Sequence, residues 1–138
     1  MNNAIKEYET YLKSLSKSSL KEGPLTEEHF SDVLSQVASE VFEGKGRERH
    51  GQGGNFSQQP WRYITDGVGT GFPIGQAIKK LIEIKNYHEA KKPDIMHMAS
   101  WKREALGAII YTVMAIMWTE NRFLETIKND NSRSNSKQ

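Results

Sequence analysis

The stretch ALGAIIYTVMAIMW, residues 105–118, decides the fold of this chain. Its large apolar side chains follow one another so closely that they cover nearly every side of a helix. The stretch is shorter than the roughly 18–20 residues that a helix needs to cross a bilayer, and charged residues flank it at 102–104 and 120–122. It therefore predicts a buried, central helix. One neighbour cannot cover such a helix, so further helices or a second subunit are expected to pack against it.

The central helix is predicted to have a partner immediately before it in the chain. Residues 72–82 place apolar side chains at three- and four-residue spacings, and Thr70 stands before them as a candidate N-cap. Asp94 is suited to cap the last helix, which is predicted to run for about 30 residues to Ile127. The two helices together predict an antiparallel hairpin from Phe72 to Ile127.

Two shorter amphipathic helices are predicted before the hairpin. Ile5–Leu15 has apolar residues at helical spacing, and Glu27–Phe42 has a similar apolar face behind Thr26, a hydroxyl N-cap. The sequence thus predicts an all-α fold, a helical bundle centred on the C-terminal hairpin, as a single domain over residues 1–127. Residues 128–138 are rich in Asn and Ser and predict a disordered polar tail.

Charge and composition exclude several classes of function. The chain has 19 Lys and Arg against 17 Asp and Glu, so its net charge of +2 is far below the basic excess typical of generic nucleic-acid binding. It has no cysteine, which excludes disulfides, thiolate nucleophiles and cysteine-ligated metals. The N-terminus lacks the features of a secretory signal. The expected location is the cytoplasm of a bacterial or phage-infected cell, with no membrane association.

Residues 44–62 form the strongest candidate for a ligand site. Residues 45–59 have neither helical nor strand period and predict a glycine-rich, basic loop in front of the hairpin, and residues 59–64 predict a brief helix that Ser57 can cap. Basic side chains pair with phosphate, glycines let the backbone approach an anion, and Trp61 can stack on a base. An alternative interpretation is a solvated connection that Trp61 anchors to the core. The residues predicted to bind a small anionic ligand are Lys45, Arg47, Arg49, His50, Trp61, Arg62 and Thr70.

No metal and no cofactor are predicted. The four histidines lie on different predicted elements and lack the i, i+3 or i, i+4 spacing of helical ligand pairs. Residues 67–75 bring glycines to the start of a helix, where free N–H groups favour an anion. No strand precedes them and no Gly-Lys-Ser/Thr follows, so a turn that lets two helices approach closely is the other interpretation.

Two stretches resemble the core helices of the all-α MazG-like nucleotide pyrophosphohydrolases. They are GFPIGQAIKK at residues 71–80 and EALGAIIY at residues 104–111. The resemblance implies a helical oligomer that binds magnesium through an acidic pair on each helix. In the second helix the corresponding positions are Ala105 and Ala108, which cannot ligate magnesium. A rearranged acidic site would use Glu83 and Glu104, with Asp66 or Glu120.

Three functional hypotheses follow. The leading one is a non-enzymatic, homo-oligomeric helical binding protein that holds or sequesters a small anionic ligand, a nucleotide or a cyclic-nucleotide-type signal. The chain is similar in its general style to small accessory proteins of bacteriophages, and an anti-defence role fits this hypothesis. The alternative is a MazG-like, magnesium-dependent nucleotide pyrophosphohydrolase with a rearranged acidic site. The second alternative is a protein–protein inhibitor that docks on a host enzyme.

Overall fold

The structure, a computed structural model, describes residues 3–16, 25–43, 59–88 and 94–136. Within these ranges the chain is helical and has no strand, which confirms the predicted all-α class. None of the helices described combines the length and the apolar character that a membrane span requires. The helices are α1 (Asn3–Ser16), α2 (Glu27–Phe42), α3 (Pro60–Val68), α4 (Gly71–His88) and α5 (Ile95–Ser136).

Two helices begin at their predicted caps. The Oγ1 atom of Thr26 accepts a hydrogen bond from the backbone N–H of His29 at 3.1 Å. The Oδ1 atom of Asp94 accepts one from the backbone N–H of His97 at 2.9 Å. That hydrogen bond, with a second one from the imidazole of His97, lowers the pKa of Asp94 below its ordinary value. Each cap therefore satisfies an amide that has no partner inside its own helix.

The hairpin is formed by α4 and α5, and α5 is the central helix. It packs most extensively on α4 and also contacts α1 and α2. The rings of Phe72 and Tyr111 meet edge to face with their centroids 6.2 Å apart. Further along α4, the Nζ atom of Lys80 lies 2.8 Å from Oε2 of Glu104. Because the later residue of α4 meets the earlier residue of α5, the two helices run antiparallel, as predicted.

The core lies where α3 meets the hairpin. Its buried members are Trp61, Ala77, Tyr111 and Met114, and the Met114 side chain is only 1% exposed. The fully buried Thr65 donates its hydroxyl hydrogen to the carbonyl oxygen of Trp61 at 2.6 Å. This bond removes the free energy cost of burying an unpaired hydroxyl group. The core thus fastens the short helix α3 to the two long ones.

The last helix is longer than the sequence predicted. Its expected end was Ile127, with a disordered tail from 128 to 138, but α5 continues to Ser136. Past its last large apolar residue, the helix gains polar support such as the hydrogen bond from Ser132 Oγ to the carbonyl oxygen of Lys128 at 3.0 Å. A helix that has already nucleated adds one backbone hydrogen bond for each further residue, so it can extend beyond its apolar part.

The joint between α3 and α4 depends on Gly69, whose φ of +78° and ψ of −170° are rarely adopted by residues with a side chain. We expect Gly69→Ala to lower the free energy of unfolding by about 1–3 kcal/mol because of this backbone strain. An added Cβ would meet no atom within 4 Å, so crowding does not contribute. Urea unfolding measures the change.

Gly67→Ala is the matched control for this prediction. Gly67 lies within α3, and a Cβ there also meets open space. Because alanine favours the helical conformation, Gly67→Ala is expected to raise stability by about 0.5–1 kcal/mol. Equal effects of the two substitutions would contradict the role assigned to the Gly69 backbone.

Candidate functional site

The residues predicted to bind a ligand fall into two groups. Lys45, Arg47, Arg49 and His50 lie outside the described residues, as does most of the predicted loop at 44–62. Their part in a ligand site stays a prediction. The structure does describe Trp61, Arg62 and Thr70, and it places them in three different environments.

Trp61 is a core residue. Its side chain is only 5% exposed and packs with Ala77, Tyr111 and Met114. Protein contacts therefore occupy the ring that a base would need for stacking. This placement favours the interpretation in which Trp61 anchors the preceding segment to the core.

Arg62 stands beside Trp61 but has a half-exposed side chain. Its Nε atom lies 3.9 Å from Oδ2 of Asp66, one helical turn later, which is too long for a hydrogen bond. The Asp66 carboxylate is held in place from the other side, because the indole N–H of Trp118 donates to Oδ1 at 2.8 Å. The guanidinium of Arg62 is therefore loosely paired and accessible to an anion.

Gln59 was not singled out by the sequence. It is the residue before α3 and is only 3% exposed. Its backbone carbonyl accepts a hydrogen bond from the N–H of Arg62 at 3.1 Å. Its side-chain Oε1 atom, however, is buried and has no hydrogen-bond partner within the part of the chain that the structure describes. No pattern in the sequence could have indicated this, because burial of a single polar residue depends on the tertiary fold.

Thr70 lines a groove on the outer face of the hairpin, between α4 and α5. The groove has a volume of about 580 Å³. Much of its apolar wall is formed by Ile74, Ile78 and Ile116. Among the described residues that line the groove, Glu120 carries a charge. Since no described lining residue is basic, the groove suits an apolar partner better than an anion. Thr70 thus belongs to a different kind of surface from Arg62.

The acidic residue Glu104 is held in an ion pair between the two hairpin helices. Its Oε2 atom lies 2.8 Å from Nζ of Lys80, and the two side chains are 15% and 25% exposed. Gly107 leaves room for this side chain in its present position, because a Cβ at this position would lie 2.6 Å from Cδ of Lys80 and the flexible lysine would have to shift. The side chain of Lys80 therefore lies directly against α5 at Gly107.

The electrostatics of Glu104 follow from this position. Burial raises the pKa of its carboxyl group, but the side-chain hydrogen bonds with Lys80 and Glu83 and the positive charges of Lys80 and Arg103 together lower it by more, so the pKa lies below its ordinary value. Glu104 is therefore ionised at neutral pH and paired with a cation of the same chain. These properties are those of a structural ion pair rather than a general acid.

The acidic residues predicted for a rearranged magnesium site all lie among the described residues. Magnesium requires several oxygen ligands in octahedral geometry, and the described residues contain no group of three or more His, Asp or Glu side chains that could hold a metal. The ammonium of Lys80 already neutralises Glu104, and Asp66 accepts the indole hydrogen bond of Trp118. The rearranged acidic site, Glu83 and Glu104 with Asp66 or Glu120, stays a prediction.

The resemblance to MazG-like pyrophosphohydrolases stays a prediction. No protein family model, no curated protein and no solved structure matches the chain. Its function therefore has to be inferred from the side chains that the fold brings together.

A second polar cluster fastens α1 and α2 to α5. The Nζ atom of Lys102 lies over the rings of Tyr8 and Tyr11, at 5.0 and 4.6 Å from their centroids. The hydroxyl of Tyr11 accepts a hydrogen bond from Gln36 at 3.2 Å and lies 3.3 Å from Nδ1 of His29. Burial lowers the pKa of Lys102 and raises that of Tyr8. These groups satisfy one another, so the cluster is structural.

Proposed function

We propose that this chain is a non-enzymatic, homo-oligomeric helical binding protein that holds or sequesters a small anionic ligand of the nucleotide type. The start of α3 carries the proposal. There, a buried amide oxygen without a partner, on Gln59, stands three residues from the half-exposed guanidinium of Arg62. The first group requires a hydrogen-bond donor and the second attracts an anion, and a nucleotide supplies both.

The Gln59 amide supports a ligand with N–H or O–H donors. Leaving a buried acceptor unpaired costs about 1–3 kcal/mol, so native structures contain few such atoms. An exocyclic amino group of a nucleobase or a hydroxyl group of a ribose would satisfy the Oε1 atom. Free inorganic phosphate at neutral pH is a weaker candidate because it offers mainly acceptors.

The Arg62 guanidinium supports the anionic part of the ligand. A guanidinium binds phosphate oxygens through charge-assisted hydrogen bonds, and the 3.9 Å contact with Asp66 does not engage it strongly. The basic residues Lys45, Arg47, Arg49 and His50 precede α3 in the chain and would add positive charge to the same ligand. Their contribution rests on the sequence alone.

The ion pair between Lys80 and Glu104 supports binding rather than catalysis. A metal-dependent pyrophosphohydrolase needs free carboxylates, whereas Glu104 is engaged by an ammonium group at 2.8 Å. The hairpin that resembles an enzyme core thus uses the largely buried carboxylate of Glu104 to join two helices. No observation in the described residues favours the enzymatic alternative.

Calorimetric titration tests the ligand and its site. We expect one class among nucleoside mono- and triphosphates and cyclic mono- and dinucleotides to bind. Gln59→Leu and Arg62→Ala should each weaken that binding about tenfold or more, equivalent to about 1.4 kcal/mol, because each removes a direct contact. Arg133→Ala, which removes the same charge from an exposed position near the end of α5, is the matched control and should bind normally.

Several results would contradict the proposal. If no nucleotide of the panel binds, the ligand is wrong. If both Gln59→Leu and Arg62→Ala bind as the unchanged protein does, the site is wrong. Release of pyrophosphate from a nucleoside triphosphate with magnesium or manganese would favour the enzymatic alternative. Stoichiometric capture of a host enzyme with no nucleotide binding would favour the inhibitor.

A further inference from the structure

The apolar stripe of α2 is covered along only half of its length. One face of the helix holds Phe30, Leu34, Val37 and Val41, which follow one another at helical spacing. Val37 and Val41 are buried, each 8% exposed, and α2 contacts the hairpin helix α5. Phe30 and Leu34 belong to the first half of the same stripe, yet they are 68% and 48% exposed. This pair is here called the uncovered half of the stripe.

The start of the helix does not explain these exposed side chains. Leu25 stands directly before the cap Thr26, and Phe30 is the fourth helical residue after the cap, which is the arrangement of a hydrophobic staple. In a staple the two side chains cover each other, but Leu25 is 82% exposed. Both residues line an open hollow of about 660 Å³ at the start of α2, together with Glu27 and Val33. A large apolar surface therefore remains uncovered there.

The helix α2 carries acidic side chains and neither Lys nor Arg. Residues 25–43 hold five of the 17 acidic residues of the chain, which are Glu27, Glu28, Asp32, Glu40 and Glu43. None of the five forms an ion pair with another described residue. Glu27 and Glu28 suit the positive end of the helix dipole, but the last turn has no basic residue to suit its negative end. Helix stability alone therefore does not account for the charge.

We infer that the uncovered half of the stripe docks a basic amphipathic helix of a partner protein. The apolar face of that helix covers Leu25, Phe30 and Leu34, as amphipathic helices do in apolar grooves. Its Lys and Arg side chains, on either side of that face, pair with the carboxylates of Glu27 and Glu28. The surface includes no residue of the ligand site at the start of α3, so it adds a protein partner to the proposed function.

The sign of the charge selects this partner. Carboxylates at the edge of the apolar surface repel the anionic headgroups of a membrane and the phosphates of a nucleic acid. They also favour a basic helix over an acidic helix of the same apolarity, because charges at the edge of an interface reject partners of like charge. Glu27 and Glu28 are exposed, so at the edge of the contact they stay hydrated or meet a cation of the partner.

Fluorescence anisotropy with labelled synthetic helices tests the inference. The probe is a peptide of Leu and Lys, about five helical turns long, whose leucines form one face. One reference peptide has Glu in place of Lys, and another has the same composition as the probe but no apolar face. We expect the Leu–Lys probe to bind about tenfold or more tightly than either reference. No binding of the probe, or equal binding of the Glu peptide, overturns the inference.

Paired substitutions locate the binding surface. Phe30→Ser with Leu34→Ser should weaken binding of the Leu–Lys probe about tenfold or more, because both substitutions remove apolar anchors. The matched control is Phe123→Ser with Ile127→Ser, a pair at the same spacing on α5 that is 65% and 40% exposed. This control should bind the probe normally, and circular dichroism verifies that both variants keep their helices. An equal loss in the two variants overturns the inference.

Salt dependence tests the part played by the carboxylates. Glu27→Gln with Glu28→Gln should weaken binding of the Leu–Lys probe about threefold or more at physiological salt and make the affinity less dependent on salt. Glu40→Gln with Glu43→Gln removes the same charge about 20 Å further along the helix, beyond the Debye length of about 8 Å, and should have a smaller effect. If the unchanged protein and the Glu27→Gln, Glu28→Gln variant respond equally to salt, the charge pairing is overturned.

The oligomeric state separates a partner protein from a second copy of the chain. If sedimentation equilibrium shows that Phe30→Ser with Leu34→Ser turns an oligomer into monomers, a second copy occupies the surface and a partner helix is overturned. An unchanged oligomeric state leaves the surface free for the partner helix and supports it. Nucleotide binding at Gln59 and Arg62 is measured with a different ligand, so either conclusion can fail without the other.

Discussion

Replacing Trp61 with alanine is expected to lower the free energy of unfolding by about 3–5 kcal/mol. The indole is 5% exposed and packs in the core with Ala77, Tyr111 and Met114. Its removal loses the burial of a large apolar surface and leaves a cavity that the two hairpin helices cannot easily close. Since small domains are stable by only about 5–15 kcal/mol, the loss is a large part of the total. Urea unfolding followed by circular dichroism measures it.

Two further variants separate the packing role of Trp61 from base stacking. Trp61→Phe keeps most of the ring volume and is expected to lose clearly less stability than Trp61→Ala. Trp61→Leu keeps an apolar side chain but has no ring. If Trp61 only anchors the fold, Trp61→Leu should bind a nucleotide nearly as well as the unchanged protein. A loss of about 1–3 kcal/mol of binding free energy would instead indicate that a base stacks on the indole.

The second large effect is expected at the ion pair between the hairpin helices. Lys80→Met should lower the free energy of unfolding by about 1–3 kcal/mol, because it leaves the carboxylate of Glu104 largely buried without its cation. Lys80→Met combined with Glu104→Gln should recover part of this loss, since the unpaired charge is then gone. Additive effects of the two substitutions would show that the pair contributes no coupling. Urea unfolding of the unchanged protein, the two single variants and the double variant completes this double-mutant cycle.

The same pair sets a dependence of stability on pH. The pKa of Glu104 is lower in the folded chain than its ordinary value of 4.5, so the unfolded chain binds its proton more readily. The stabilisation that the ionised Glu104 contributes is therefore fully present above the ordinary pKa. It is lost as the pH falls through the pKa that Glu104 has in the folded chain. We expect Glu104→Gln to flatten the fall in stability below about pH 5. An unchanged slope in this variant would contradict the role of the pair.

Local patterns in the sequence were sufficient to predict where the main helices lie. Apolar residues at helical spacing, with Thr26 and Asp94 as caps, predicted α2 and α5 with their correct starts. The density of apolar residues at 105–118 predicted that α5 is central, and α1, α2 and α4 do contact it. Periodicity and capping involve residues within a turn or two of one another, so a single sequence contains them. The same local information underestimated the length of α5, because the continuation of a helix depends on what precedes it.

The candidate site depended on contacts that the sequence does not contain. The hydrogen bond between Trp118 and Asp66 joins residues 52 positions apart, and Lys102 reaches the rings of Tyr8 and Tyr11 across the fold. Composition identified Arg62 and Trp61 as one ligand-binding group, but the tertiary structure buries the indole and leaves the guanidinium half exposed.

By itself, then, the sequence determined the helical class, the starts of α2 and α5 and the hairpin, because these follow from side-chain spacing and caps along the chain. Only the tertiary structure decided that Trp61 belongs to the core, that Lys80 neutralises Glu104, and that the Gln59 oxygen lacks a partner. The physical reason is that burial and pairing depend on which helix faces meet. That choice is made by the packing of the whole chain, and no short segment contains it.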